Sequence, residues 1–100
     1  MRFKFKKKWI ERLYYEDKRP SHLSPHVIEA FYDVTAVIGA AEDERDLRGI
    51  KSLHFEKLKG KRGKASQRSL RLAEQFRLIV TLERDDEGRF VYILDIVDYH

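Results

Sequence analysis

Cysteine is absent from all 100 residues. A disulfide framework, a thiolate zinc site and a thiol nucleophile are therefore excluded, and a reducing cytosol suits the chain. Long apolar runs are absent too. Nothing approaches the roughly eighteen residues that a membrane span needs, and the basic start Arg2-Phe3-Lys4-Phe5-Lys6 lacks the apolar core of a signal peptide. Internal repeats and low-complexity tails are missing as well. Proline occurs only twice. Pro20 closes one helical pattern, and Pro25 stands where another opens. A chain of this length reads as a single domain, 1–100, able to bury roughly two-thirds of its unfolded surface, and its expected location is the cytoplasm.

Charge is plentiful and unevenly placed. The formal net charge is +4, yet residues 1–20 hold eight Lys/Arg against Glu11, Glu16 and Asp17. Residues 56–71 hold Lys57, Lys59, Lys61, Arg62, Lys64, Arg68 and Arg71 against Glu56 alone. Two such zones on a small protein point to a polyanion partner. Charge alone leaves the alternative of a solvated loop equally open.

The apolar pattern predicts an α+β fold. Phe3 and Phe5 alternate with cations as in a short strand. Trp9, Ile10, Leu13 and Tyr14 recur at helical spacing from Lys8 to about Lys18. Ser24-Pro25 then reads as an N-cap and first helical position, opening a helix that carries Val27, Ile28, Phe31, Tyr32, Val34, Thr35 and Ile38. Residues 42–49 suit a polar turn or short helix, and 57–68, with Gly60 and Gly63, a loop. Strands are expected at Ser69–Ala73, Phe76–Glu83 and Phe90–Val97, the last two joined by a turn at Asp85-Asp86-Glu87-Gly88. The architecture that follows is a short N-terminal strand and two helices packed on one face of a small antiparallel sheet, with Arg77 and the basic loop on the other face.

Three groups of polar residues stand out from this frame. His54 precedes the sheet with Lys57 and Lys59, Arg77 lies inside a strand, and Asp98-Tyr99-His100 follows the apolar run that ends at Val97. Metal-free RNA cleavage requires a base for the ribose 2′-OH, cations for the crowded phosphate and an acid for the leaving oxygen. Imidazole, guanidinium, ammonium and carboxylate supply those roles, and His54 and His100 are the natural acid/base candidates. Judged singly, each His also has a structural reading, as a half-buried or terminal residue. Arg77 needs an outward face or a partner, and Tyr99 at a sheet rim would stack on a base. No HExxH-like spacing surrounds Asp98 and His100, no nucleophile elbow is present, and Gly60-Lys61-Arg62-Gly63-Lys64 lacks the spacing of a phosphate loop. No metal, no cofactor and no small-molecule ligand are expected.

Taken in order, Leu53-His54, Leu58-Lys59-Gly60, Ser69-Leu70-Arg71-Leu72, Gln75-Phe76-Arg77-Leu78-Ile79 and Asp95-Ile96-Val97-Asp98-Tyr99-His100 resemble the HigB branch of the RelE/ParE toxin superfamily, closely over the C-terminal half and more loosely before it. The loop 60–68 is longer and more basic than the family pattern, and Phe76 replaces a common Trp. The resemblance implies a RelE-like ribonuclease fold and a toxin of a type II toxin–antitoxin pair, a ribosome-dependent endoribonuclease that cleaves messenger RNA in the decoding site. Its inhibitor would be an antitoxin with a helix-turn-helix domain. Carried over by position, His54, Lys59, Arg77, Asp98, Tyr99 and His100 fall on the functional motif. Lys57, Lys61, Arg62, Lys64, Arg68 and Arg71, from the basic zone, are the expected RNA contacts. Which His is base and which is acid stays open. Two rivals remain: a non-catalytic ParE-like inhibitor of DNA gyrase, which has no need of titrating groups, and an RNA-binding module without cleavage, for which no RNP or GxxG motif is present.

Overall fold

A computed structural model of the protein describes residues 1–61 and 66–98. It has the expected α+β organisation. Strand β1 (Arg2–Phe5) leads into helix α1 (Lys8–Glu16), helix α2 (Pro25–Ala40), a short helix α3 (Glu44–Arg48) and a 3₁₀ turn (Lys51–Leu53). Strands β2 (Glu56–Lys57), β3 (Arg68–Arg71), β4 (Phe76–Asp85) and β5 (Gly88–Asp98) follow. No helix among the described residues is long and apolar enough to cross a membrane.

Local chemistry sets the helix ends. The Ser24 hydroxyl accepts from the Val27 N–H at 3.4 Å and Pro25 occupies the first turn, so α2 starts where its capping residues lie. Helix α1 stops at Glu16, earlier than the proline implied. Asp17 takes a left-handed backbone (φ 52°) and its N–H closes on the Arg12 carbonyl, a terminator that acts before Pro20 is reached. The Tyr32 hydroxyl lies 2.7 Å from both the Leu13 carbonyl and Asp17 Oδ1, tying this end of α1 to α2. Burial, reinforced by the hydrogen bond to Asp17, pushes the Tyr32 phenol up to about 12.

The sheet has five strands in the order β1-β5-β4-β3-β2. It is mixed rather than purely antiparallel, because β1 runs parallel to β5. Hairpins join only neighbours in sequence, and the first and last strands meet across the whole intervening chain. One face carries Leu70, Leu78, Val80, Val91, Ile93 and Ile96, which pack with Ile10, Leu13, Phe31, Ile38 and Leu47 from the helices. Each such side chain, fully buried, contributes about 1.5–3 kcal/mol of transfer free energy. A bulge adjusts the pattern in β5: Ile79 faces Asp95 and Val80 faces Ile93, so Leu94 is the extra residue. Ile93 and Ile96 can therefore both enter the core although they are three positions apart. The outer face is less polar than alternation suggests, since Ile79 is fully buried there without belonging to the main core.

The β4–β5 turn also secures β1. Asp85 accepts from Arg2 at 2.6 and 3.0 Å and from Lys4 at 2.8 Å, while Gly88 takes φ 109° to close the turn. The hydrogen bonds from Arg2, then Lys4, hold the Asp85 carboxyl well below the usual aspartate range. A depressed value stabilises the fold fully above the ordinary value of 3.8, and that share is lost as pH falls further. Asp85→Asn is expected to lower stability at neutral pH, with the gap to the natural protein shrinking below about pH 3.8. Urea titrations of both proteins across that range check it; a gap independent of pH would show that the charge of Asp85 contributes nothing.

Candidate active site

The 3₁₀ turn ends at His54, whose backbone is left-handed (φ 45°, ψ 53°) and whose N–H returns to the Lys51 carbonyl at 3.1 Å. That conformation carries a steric penalty for any residue with a Cβ. Arg77 meets it from β4. Its Nη2 donates to the His54 carbonyl at 2.8 Å and its Nε to the Ser69 hydroxyl on β3 at 3.1 Å, and Glu56 Oε2 stands 3.9 Å away. The guanidinium side chain is 17% exposed, so it is held by the fold yet reachable from outside. A cation inside a β-run is thus accounted for by a hydroxyl and a backbone carbonyl, with a carboxylate at longer range.

His54, Arg71, Glu74, Gln75, Phe76 and Arg77 line a surface pocket of about 270 Å³. Glu74 is also left-handed (φ 56°), and its carboxylate accepts from the Ser24 hydroxyl at 2.7 Å, joining the β3–β4 turn to the start of α2. Two of the strained residues therefore border one pocket, as happens where a backbone is held for a purpose other than stability. Asp98, exposed and paired in register with Phe76, ends β5 at this same rim. Cross-strand partners share a face, so Asp98 lies on the side of Phe76 and Leu78, while Arg77 lies on the side of Val97 and Arg71. His54 and Arg77 border the pocket together, whereas Asp98 emerges at the same end of the sheet on the opposite face.

The basic residues separate. Arg71 borders the pocket. Arg68, one strand parity away, is 16% exposed, lies 3.6 Å from Glu44 and donates to the Ser66 carbonyl at 3.0 Å, which makes it a strut between β3 and α3. Lys57 pairs in register with Arg68 and so belongs to that helix-bearing side. Lys59 is exposed just beyond β2. Lys61 lines a second depression of about 430 Å³ on the outer face, with Lys6, Lys7, Ile79, Leu94 and Asp95. Arg62, Lys64, Tyr99 and His100 lie outside the described residues. Among the described residues no three His, Asp or Glu side chains come together in a way that would hold a metal ion.

Ser69 and Glu74 were not foreseen. Nothing in their local sequence marks them, because Ser69 reaches Arg77 only through the β3–β4 register, in which it stands opposite Ile79, two positions from Arg77. With an imidazole, a fixed guanidinium and a carboxylate at one rim, the arrangement can transfer protons and bind a phosphate.

A family model for HigB-like toxins, described as RelE-like toxin of type II toxin–antitoxin system HigB, matches residues 3–100. Toxin HigB-1 of Vibrio cholerae is 35% identical over 79 residues, spanning 79% of this chain and 81% of that protein. In fold, the chain is similar to a solved structure described as YoeB/ParE toxin from Agrobacterium tumefaciens, with a TM-score of 0.61 at 12% identity and both chains covered completely.

Proposed function

The chain belongs to the HigB-like toxins, the RelE-like toxins of type II toxin–antitoxin systems, and from that membership we propose that it is a ribosome-dependent endoribonuclease, cutting messenger RNA in the decoding site by acid/base chemistry without a metal. As a toxin of such a system it has an antitoxin for a partner; we assign that antitoxin a helix-turn-helix domain, and the toxin, acting as one domain, a place in the cytoplasm.

The observation that carries this reading is the bond from Arg77 to the His54 carbonyl at the rim where Asp98 ends β5. A guanidinium that fixes the backbone of a candidate proton carrier and remains reachable serves a reaction better than a binding surface. In the proposed chemistry His54 and His100 take the 2′-OH proton and protonate the leaving oxygen, with the order open. Arg77 and Lys59 hold the scissile phosphate, Tyr99 stacks on a nucleotide, and Asp98 orients a His or shares the acid role. Lys57, Lys61, Arg62, Lys64 and Arg71 contact the RNA; Arg68, held by Glu44, contributes through the shape of β3.

The test compares one defined message bound to purified ribosomes with the same message free in solution, mapping new 5′ ends after adding the chain. Cuts confined to ribosome-bound message are expected, with DNA gyrase left active. Intact message together with inhibited gyrase supercoiling would replace this reading with a ParE-like one.

A further inference from the structure

A depression of about 620 Å³, larger than the pocket at His54, opens beside the start of α1 and is bordered by Lys7, Lys8, Trp9, Arg12, Lys18 and Arg19. Arg12 stands three and four positions after Trp9 and Lys8, so it is the helical neighbour of both along this border of the depression. The Trp9 ring is held in place by an edge contact with His22, centroids 5.4 Å apart. Lys7 pairs with Asp95 and Arg19 with Asp17, each at 2.9 Å, whereas Lys8, Arg12 and Lys18 are exposed and make no ion pair among the described residues. Three cations without a carboxylate partner among the described residues, gathered about an aromatic ring, are complementary to an anion that also offers a flat face.

The depression is also connected to the site. Lys7 borders both it and the outer-face depression with Lys6, Lys61 and Ile79. Ile79 lies two positions along β4 from Arg77, on the same face. Cations thus mark a track from Trp9 across the sheet to the rim at His54.

We propose that the Trp9 depression is a nucleotide subsite for the message strand itself, taking one base against Trp9 and the neighbouring phosphates on Lys8, Arg12 and Lys18, a few nucleotides from the bond cut at the rim. This rests on the ribonuclease reading above. A strand with one charge per nucleotide matches cations repeated along a track, whereas an acidic peptide would need them only at the depression.

Trp9 is the only tryptophan, so its emission reports on this site alone. The full chain would be titrated at low salt with an uncleavable 2′-O-methyl oligouridylate. Quenching is expected, and in the Arg12→Ala, Lys18→Ala double variant the log–log salt slope should become shallower by about 1.4, or about 0.7 per cation. On ribosome-bound message the double variant should raise KM several-fold and leave kcat unchanged, a split that a folding defect would not produce. Trp9→Ala, expected to raise KM about tenfold through lost stacking, is the complementary variant. Emission unchanged at every RNA concentration, quenching by purified antitoxin but not by RNA, or an unchanged KM in the double variant each overturns the subsite. If RNA quenches Trp9 but no message is cut, the ribonuclease reading fails, and with it the placement of the subsite beside a cut bond, leaving an RNA-binding site at Trp9. If cutting depends on Arg77 and Asp98 while Trp9 is silent, the subsite alone fails.

Discussion

Removing Asp98, Tyr99 and His100 is expected to abolish growth arrest on expression of the chain alone and to lower the rate of message cleavage by at least about two orders of magnitude. A positioned acid or base is worth roughly 10²–10⁴-fold, and the deletion takes a carboxylate, a phenol and an imidazole together. The fold should survive. Among the described residues, Ile96 is the last core residue of β5 and the pairing of Val97 with Arg77 is left in place, while the register pair of Asp98 with Phe76 is removed. A melting curve on the truncated protein, run beside 5′-end mapping in cells, separates loss of chemistry from loss of structure. A folded truncation that remained fully toxic would remove the C-terminal cluster from the site.

The second large effect concerns Arg77→Lys, which keeps the charge. An ammonium on a flexible stem cannot hold Ser69 and the His54 carbonyl in the fixed geometry that Nε and Nη2 provide, and it cannot grip two phosphate oxygens side by side. One lost charge-assisted hydrogen bond is worth about 1.5–3 kcal/mol, or roughly ten- to a hundredfold in rate where it acts in the transition state. Ser69 is 1% exposed and would lose its guanidinium donor, so stability should fall as well, by about 1–3 kcal/mol. Single-turnover cleavage and a urea titration on the same sample distinguish the two contributions. Lower stability with an unchanged rate would leave Arg77 as a clamp for the sheet and end its catalytic assignment.

Features written in local letters were legible in the sequence. Ser24-Pro25 opens α2, Gly88 closes the β4–β5 turn, and the strand expected at Phe76–Glu83 lies within β4. The parallel pairing of β1 with β5 was not, because register between strands more than eighty residues apart has no local signature. Nor was the bulge at Leu94, which changes which side each later residue of β5 faces. The candidate site was legible as residues rather than as an assembly. His54, Arg77 and Asp98 could be singled out by type, but the bond joining the first two ends on a backbone carbonyl, and a carbonyl is the same at every position. Charge was legible only as a sum. The sum could not separate Arg71 at the pocket from Arg68 beneath α3, since strand parity divides them.

The left-handed backbone at His54 bears on how such a toxin would be lost. A residue with a Cβ held there costs of order 1–3 kcal/mol relative to one that adopts the conformation freely, and glycine does so. Most inactivating changes weaken a protein, and a cell then clears it. His54→Gly would instead relieve a penalty while deleting the imidazole. If His54 carries the proposed proton transfer, a folded and persistent protein without the activity would result, still able to occupy an antitoxin. On the proposed chemistry, loss of activity and relief of backbone strain would then point the same way at this one position.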